Sequence, residues 1–290
     1  MSETSRKFHS FEASASAFGG RLERPVNSVL PTLAANCLPT VGGYNAERHD
    51  NFQFHEIISI DEAYTHVGGS FDRNTGNWTT IASSVIAGLN VGHTLFADRI
   101  VGQISLEHPA DGGPPRVSFL GSHFDGLRIG KCDLNPELQL NVCNDDRGDG
   151  FPKQDCIKNP RFLSEAHDYS KAFLQHWLGD TPPDPKSSSA ATPQVGDNTP
   201  EAIEERGSVQ YSIVKEINGK CGGTGFGHAI KIPHFGLIFL GELTVCRGSF
   251  GLTMIRLELG SPIGGSTSGA QASVGGGKKG GPSGNSTGTG

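Results

Sequence analysis

From Ser84 to Gly130 the chain is a succession of β-branched and aromatic runs separated by turns, and a weaker version of that succession returns between Ser212 and Gly260. The first set comprises Ser84 to Val91, Phe96 to Leu106, Arg116 to Leu120 and Phe124 to Ile129, broken at Gly92-His93 and across the turn-rich Pro109 to Pro115. Short runs of this kind bury apolar surface by pairing as strands, so they predict a β meander and exclude a helical bundle. Gly, at 41 residues, and Pro, at 17, supply the turns such a meander needs.

Three correspondences in the same order point to a duplication. Ser84-Val85-Ile86 through Asn90 matches Ser212-Ile213-Val214 through Asn218, Val101-Gly102-Gln103-Ile104-Ser105 matches Leu240-Gly241-Glu242-Leu243-Thr244, and Leu127-Arg128-Ile129-Gly130 matches Leu257-Glu258-Leu259-Gly260. Two such units would give a mainly-β protein, an antiparallel β-sandwich or a barrel, with pseudo-symmetric halves. Val/Ile/Leu-rich strands also resemble one another by composition alone, and that reading stays open.

Outside these units the pattern changes. Phe11, Ala13, Ala15 and Ala17 alternate, which predicts a strand over residues 8 to 24 ended by Gly19-Gly20. Residues 25 to 51 read as a loop with one short apolar element near Val26 to Leu33, and Phe52 to Tyr64 as a strand bent near Ile57. A polar hairpin turn at Asp72 to Asn77 then leads into a strand from Trp78 to Ile86. From 131 to 207 the chain reads as an insertion between the units. It holds the one amphipathic helix, Pro160 to Leu178, with Phe162, Leu163, Ala166, Tyr169, Phe173 and Trp177 three or four apart, and a Pro/Ser/Thr linker over 180–198. Ser208 to Ile217, Ala229 to Ile232, Gly236 to Val245 and Ser249 to Leu259 are further strands. Residues 261–290, Gly, Ser and Thr with almost nothing apolar, are expected to be a disordered tail after a single β-rich domain over 1–260.

Charge and length exclude some functions. A net charge of −6 without a Lys/Arg stripe gives no footprint for nucleic acid. No stretch approaches the ~20 apolar residues that span a bilayer. No apolar segment follows the N-terminal residues either, so a cytoplasmic protein is the default expectation. None of the six cysteines forms a CxxC pair, and they read as buried, inert thiols.

The motifs that invite chemistry are incomplete. Gly222-Gly223-Thr224-Gly225-Phe226-Gly227 lacks both the glycine spacing of a dinucleotide loop and a following helix, since His228 takes the sixth position from Gly223. Asp145, Asp146 and Asp149 could offer oxygens to Ca²⁺. Counted from Asp145, however, Arg147 takes the third position and Cys156 the twelfth of an EF-hand, leaving an irregular acidic loop. His93, Asp98 and Arg99 lie near the start of one repeat strand, His228 and His234 in the corresponding part of the second unit, and His123 and Asp125 share one strand face. Where the units face each other these groups could form a polar pocket, with His as acid/base or metal ligand. Hydrogen-bonded loop histidines are the plainer reading. No cofactor is identified by any motif.

Gly88-Leu89-Asn90, Ala97 to Val101, Ile104 to Pro109 and Ser118 to Phe124 resemble a group of uncharacterised bacterial proteins, akin to the choice-of-anchor P class of surface-associated proteins, over about residues 8 to 260. The resemblance implies export and a C-terminal sorting tail. The Gly/Ser/Thr C-terminus does not match such a tail, and no catalytic residue carries over. Taken together, the sequence favours a non-catalytic β-rich binding or structural protein with a protein or small-molecule partner. An enzyme, metal-assisted, with a site between the units and a carrier with a ligand inside a barrel are the alternatives. Oligomeric state is not set by the sequence.

Overall fold

The computed structural model describes residues 9–143, 150–178, 198–219 and 222–278. In chain order the elements are β1 (His9–Arg24), β2 (Ser28–Leu33), β3 (Asn36–Cys37), β4 (Gly43–Phe54), β5 (Ile58–Phe71), β6 (Trp78–Val91), β7 (Leu95–His108), β8 (Arg116–Ser118), β9 (His123–Asp125), β10 (Arg128–Ile129), β11 (Cys132–Asp133) and β12 (Asn135–Leu138). A 3₁₀ turn (Cys156–Lys158) precedes α1 (Pro160–Leu178) and α2 (Pro200–Arg206). There follow β13 (Ser208–Ser212), β14 (Val214–Asn218), β15 (Thr224–Phe226), β16 (Ala229–Ile232), β17 (Gly236–Cys246), β18 (Ser249–Leu259) and β19 (Gly264–Lys278).

The first sheet runs β15-β16-β17-β18-β19-β1-β2, with β13 also on β17 and β3 on β1. The second runs β11-β10-β7-β6-β5-β4, with β8 and β9 on β7, and β12 pairs β14 separately. The two main sheets are antiparallel and pack face to face as a sandwich without closing into a barrel. The barrel alternative is therefore replaced by the sandwich. A carrier with a barrel interior loses its cavity, because Phe18, Ile86, Ile100 and Leu240 are buried in the core.

The sheets touch where their strands are thinnest. A Cβ on Gly102 of β7 would lie 2.5 Å from the Ala270 carbonyl oxygen and 2.9 Å from Met254 Cγ, and one on Gly269 would lie 2.5 Å from Ile86 Cδ1. Glycine at these points lets backbone of one sheet approach the other. Buried Ser84 also ties the layers, its hydroxyl donating to the Ser16 carbonyl at 2.9 Å.

The alternating run from Phe11 to Ala17 is the inward face of β1. The turn at Asp72 to Asn77 forms as read, with Gly76 N–H donating to Asp72 O at 2.8 Å. Helix α1 has the expected limits, and Asn159 Oδ1 caps it by accepting from Arg161 N at 3.0 Å and Phe162 N at 3.4 Å. Thr199 and Gly207 cap α2, a second helix within the insertion.

Several expectations are corrected. Residues 43 to 51 are not loop: they belong to β4, a strand whose exposed positions show no apolar period because neither of its faces is covered. The bend near Ile57 is a hairpin turn, with His55 at φ 50° between β4 and β5. The tail over 261–290 is no tail across Gly264–Lys278, which form β19 and pair with both β18 and β1; residues 279–290 lie outside the described residues, as do 180–197 of the linker. The inert-thiol reading fails at Cys143 and Cys156, which form a disulfide with Cα atoms 5.0 Å apart. Cys132 is also disulfide-bonded, while Cys37 and Cys246 are free.

Of the three sequence correspondences, the second lies inside a long strand in both units, β7 and β17, but the first does not fall on like elements. Ser84 to Asn90 lies inside the single strand β6, whereas Ser212 to Asn218 is split between β13 on the first sheet and β14 on the separate pair.

Two outcomes follow from this packing. Gly102→Val, placing a side chain where the sheets touch, should lower the unfolding free energy by about 1–3 kcal/mol in urea titrations. Gly251→Ala, whose Cβ would have Thr244 Cβ at 4.0 Å as its nearest neighbour, should change it little. A chain ending at Gly260 should give no cooperative unfolding transition, because β18 and β1 lose the strand between them.

Candidate functional site

The outward face of the first sheet carries a polar groove built from very small side chains. Register aligns Thr244 of β17, Gly251 of β18, Ser273 of β19, Ser14 of β1 and Cys37 of β3 in one row across five strands. A second row aligns Glu242, Thr253, Gln271 and Ser16. Because side chains alternate along a strand, small inward Ala13, Ala15 and Ala17 leave Ser14 and Ser16 facing out, and Ala272 and Val274 leave Ser273.

The rows are joined by hydrogen bonds. Ser14 and Ser273 hydroxyls lie 2.8 Å apart, and Ser16 donates to Gln271 Oε1 at 3.0 Å. Gln271 Nε2 donates to Thr253 Oγ1 at 3.5 Å, and Thr244 donates to Gln210 Oε1 at 3.1 Å. Over this floor lies an open groove of about 570 Å³, with the Asn36–Cys37 strand at its margin. A second hollow of about 490 Å³ extends it toward Glu12, Cys246 and Ser249. Thr244, Gly251 and Ser273 line both.

Farther along the same face, helix α1 covers a charged cluster. Arg256 forks onto Glu242 with two bonds of 2.7 Å and also pairs with Glu258. Its guanidinium lies 3.7 Å from the centre of the Phe239 ring. His228 is buried at 2% exposure, with Nε2 3.7 Å from Glu242 and Nδ1 hydrogen-bonded to the Tyr169 hydroxyl of α1. That hydroxyl also accepts from the His228 backbone N–H at 3.2 Å. Phe173 stacks on the imidazole at 5.0 Å and belongs to a small apolar cluster with Ala229, Leu237 and Phe239. Burial opposes ionisation of Glu242, but hydrogen bonds and charge from Arg256 and His228 outweigh it and bring the carboxyl down to about 2. Burial pushes the Tyr169 phenol up, well above its ordinary range.

The sequence candidates fall in three places: the turns of His93 and His234, strands β7 and β9, where Arg99 stands opposite Asp125 and Asp98 and His123 are close by, and the buried position of His228. His93 and His234 occupy exposed turns with φ of 50° and 59°. The two turns are at one end of the sandwich, since a Cβ on Gly92 would lie 2.9 Å from Ile263 and 3.9 Å from Phe235. His93 accepts its local support from Asn90, whose Oδ1 takes its backbone N–H at 3.2 Å. Asp98 pairs with Arg128 at 3.2 Å, and Arg99 donates to the Tyr64 hydroxyl at 2.5 Å. His123 and Asp125 share a strand face, 3.3 Å apart, His123 half-buried and Asp125 exposed. His228 alone is buried, under the helix. Asp145, Asp146 and Asp149 lie outside the described residues. Among the described residues no three His, Cys, Asp or Glu side chains are grouped to hold a metal ion, and no helix is long and apolar enough to cross a membrane.

Sequence reasoning passed over Tyr169, Glu242, Arg256 and Glu258 and the whole groove. The signals were present: Ala13-Ser14-Ala15-Ser16-Ala17 and Ala270-Gln271-Ala272-Ser273-Val274 are matching period-two alternations, and Arg256 and Glu258 are charges on one face of an otherwise apolar strand.

Fold and site together define a mainly-β, two-sheet antiparallel sandwich with an open polar groove on one outer face. The chain belongs to the family described as a domain of unknown function, DUF8256, whose model matches residues 9–246. That match ends before β18 and β19, and it carries no link to the choice-of-anchor P class. No curated protein and no solved structure matches the chain.

The ion cluster sets an acid response. The folded Glu242 carboxyl titrates near 2 against an ordinary 4.5, so its stabilisation is complete above about pH 4.5 and is lost as pH falls toward 2. Urea titrations across that window should show a steeper loss of stability for the native protein than for Glu242→Gln. Arg256→Met, which leaves Glu242 buried without its partner, should cost about 3–5 kcal/mol at neutral pH.

Proposed function

We propose that this protein is a non-catalytic binding module, and that its ligand lies in the groove over Thr244, Gly251, Ser273 and Ser14. The observation that carries the reading is the alignment of small side chains, three of them hydroxyls, across five adjacent strands, over a hollow of ligand size. The lining of the larger hollow offers donors and acceptors without formal charge. A neutral, hydroxyl-rich chain, an oligosaccharide, fits that complement, because hydroxyl groups at either end of each contact can donate or accept as required. Strand spacing of about 4.8 Å sets the repeat of the rungs, and an extended sugar chain lying across the strands advances by a comparable step.

His93 and His234 sit on exposed turns, and Asp98, Arg99 and His123 on β7 and β9 are engaged by Arg128, Tyr64 and Asp125; this supports binding over acid–base catalysis, which requires groups within hydrogen-bond reach of one substrate. The Cys143–Cys156 disulfide supports residence in an oxidising compartment in place of the cytoplasmic default.

Gly251→Trp fills the groove without touching the core. Isothermal titration with neutral hexasaccharides of glucose, xylose and N-acetylglucosamine should show saturable binding to the native chain that is abolished in Gly251→Trp, while the melting temperature stays within a few degrees. Bound ligand should also slow alkylation of Cys37, the exposed thiol that ends the row. Absence of binding to all three sugars would sink the oligosaccharide reading, and binding that survives Gly251→Trp would move the site elsewhere.

A further inference from the structure

Among the described residues, strand β4 ends the second sheet and pairs with β5 alone, while the Asn45 side chain donates to the Cys37 carbonyl at 3.5 Å. From Gly43 to Asp50 its register with β5 is unbroken, Gly43 opposite Gly69 through Asp50 opposite Glu62. Every residue from Gly43 to Asn51 is exposed, including Tyr44 at 72%. The run contains no proline and no lysine, and positive φ occurs only at its two ends, Gly43 at 114° and Asn51 at 56°. Such an edge presents a row of backbone donors and acceptors able to pair with another strand, and proteins ordinarily blunt it.

The side chains along this edge select the partner. Antiparallel pairing of a strand with its own copy about a two-fold axis sets residues of the same parity opposite each other, because hydrogen-bonding direction alternates along the strand. The axis must therefore pass through one residue. Through Glu47 it sets two glutamates face to face, and through Arg48 two arginines, both destabilising. Through His49 it pairs Arg48 with Asp50 but draws the irregular Asn51 into the ladder. Through Ala46 it sets Ala46 opposite itself, Asn45 opposite Glu47, Tyr44 opposite Arg48 and Gly43 opposite His49, all within the unbroken run. No like charges then meet, the smallest side chain lies on the axis, each exposed Tyr44 ring meets an Arg48 guanidinium of the other copy, and each Asn45 amide can donate to a Glu47 carboxylate.

We propose that β4 is a homodimer interface in which two copies of this chain pair antiparallel over Gly43–His49 about an axis at Ala46, joining their second sheets into one continuous sheet. The interface uses the edge of the second sheet, while the groove lies on the outer face of the first, so the two readings stand or fall separately.

Sedimentation velocity of the full chain over a hundredfold concentration range should show a monomer–dimer equilibrium. Ala46→Pro removes the backbone N–H on the axis, which within one chain donates to Asn45 Oδ1 at 3.0 Å, and should shift dissociation at least tenfold higher. In a Cys37→Ser background, Ala46→Cys should form an intermolecular disulfide on mild oxidation and Glu47→Cys should not, because only the axial residue meets its own copy. A chain that stays monomeric throughout, or a dimer unaffected by Ala46→Pro, overturns the proposal. Cross-linking that is equal at positions 46 and 47 overturns the assigned register.

Discussion

The sandwich depends on how closely two backbones can approach where β7 of one sheet lies against β19 of the other. At Gly102 and Gly269 a single Cβ would fall 2.5 Å from an atom of the facing layer. Side chains that would ordinarily separate the sheets are missing at that point, and Ile86 and Met254 fill the space beside it. The short distance also lets a serine hydroxyl of β6 reach a carbonyl of β1. A polar side chain buried between sheets would otherwise be a liability, but here it is satisfied across the layers and fixes their relative position.

The same thinness shapes the outer surface. A strand made of alternating Ala and Ser is narrow on both faces, inward so that the sheets can approach and outward so that a hollow remains. β1 and β19 are both of this kind and are neighbours, so their narrow outer faces add up, and Gly251 and Thr244 continue the hollow into β18 and β17. The groove therefore follows from the packing requirement, and a bulky residue on one face of these strands would disturb both surfaces at once.

What could be read from the sequence tracks how much of each strand's signal is its own. β1, β6, β7, β17, β18 and α1 carry their period in their side chains, and their limits came close to the structure. β19 has only Ala270, Ala272 and Val274 to bury, and its Gly-rich text is the composition of a flexible tail unless a facing sheet requires thin backbone. β4 is legible only through its partner, because exposed residues on both faces leave no period to detect. The His and Asp candidates were chosen for their chemistry, and their turns and strands place most of them in solvent. The groove went unread because Ser, Thr and Gly on strands carry no chemistry until register aligns them.

The cluster under helix α1, which gathers potential catalytic groups, shows why residue identity is not enough. Tyr169, His228 and Glu242 stand in the order of nucleophile, base and carboxylate, but the phenol is already occupied by the His228 ring and accepts its backbone N–H. Burial holds that phenol protonated, against the direction a nucleophile needs. Glu242 is turned chiefly to Arg256, which grips it with two short bonds. Tyr169, His228, Glu242 and Arg256 thus answer one another inside the contact between α1 and the sheet. An amphipathic helix could slide along a purely apolar surface by a turn at modest cost. A hydroxyl that must find one imidazole beneath it cannot, so the network specifies where the helix sits and leaves the neighbouring hydroxyl rows uncovered.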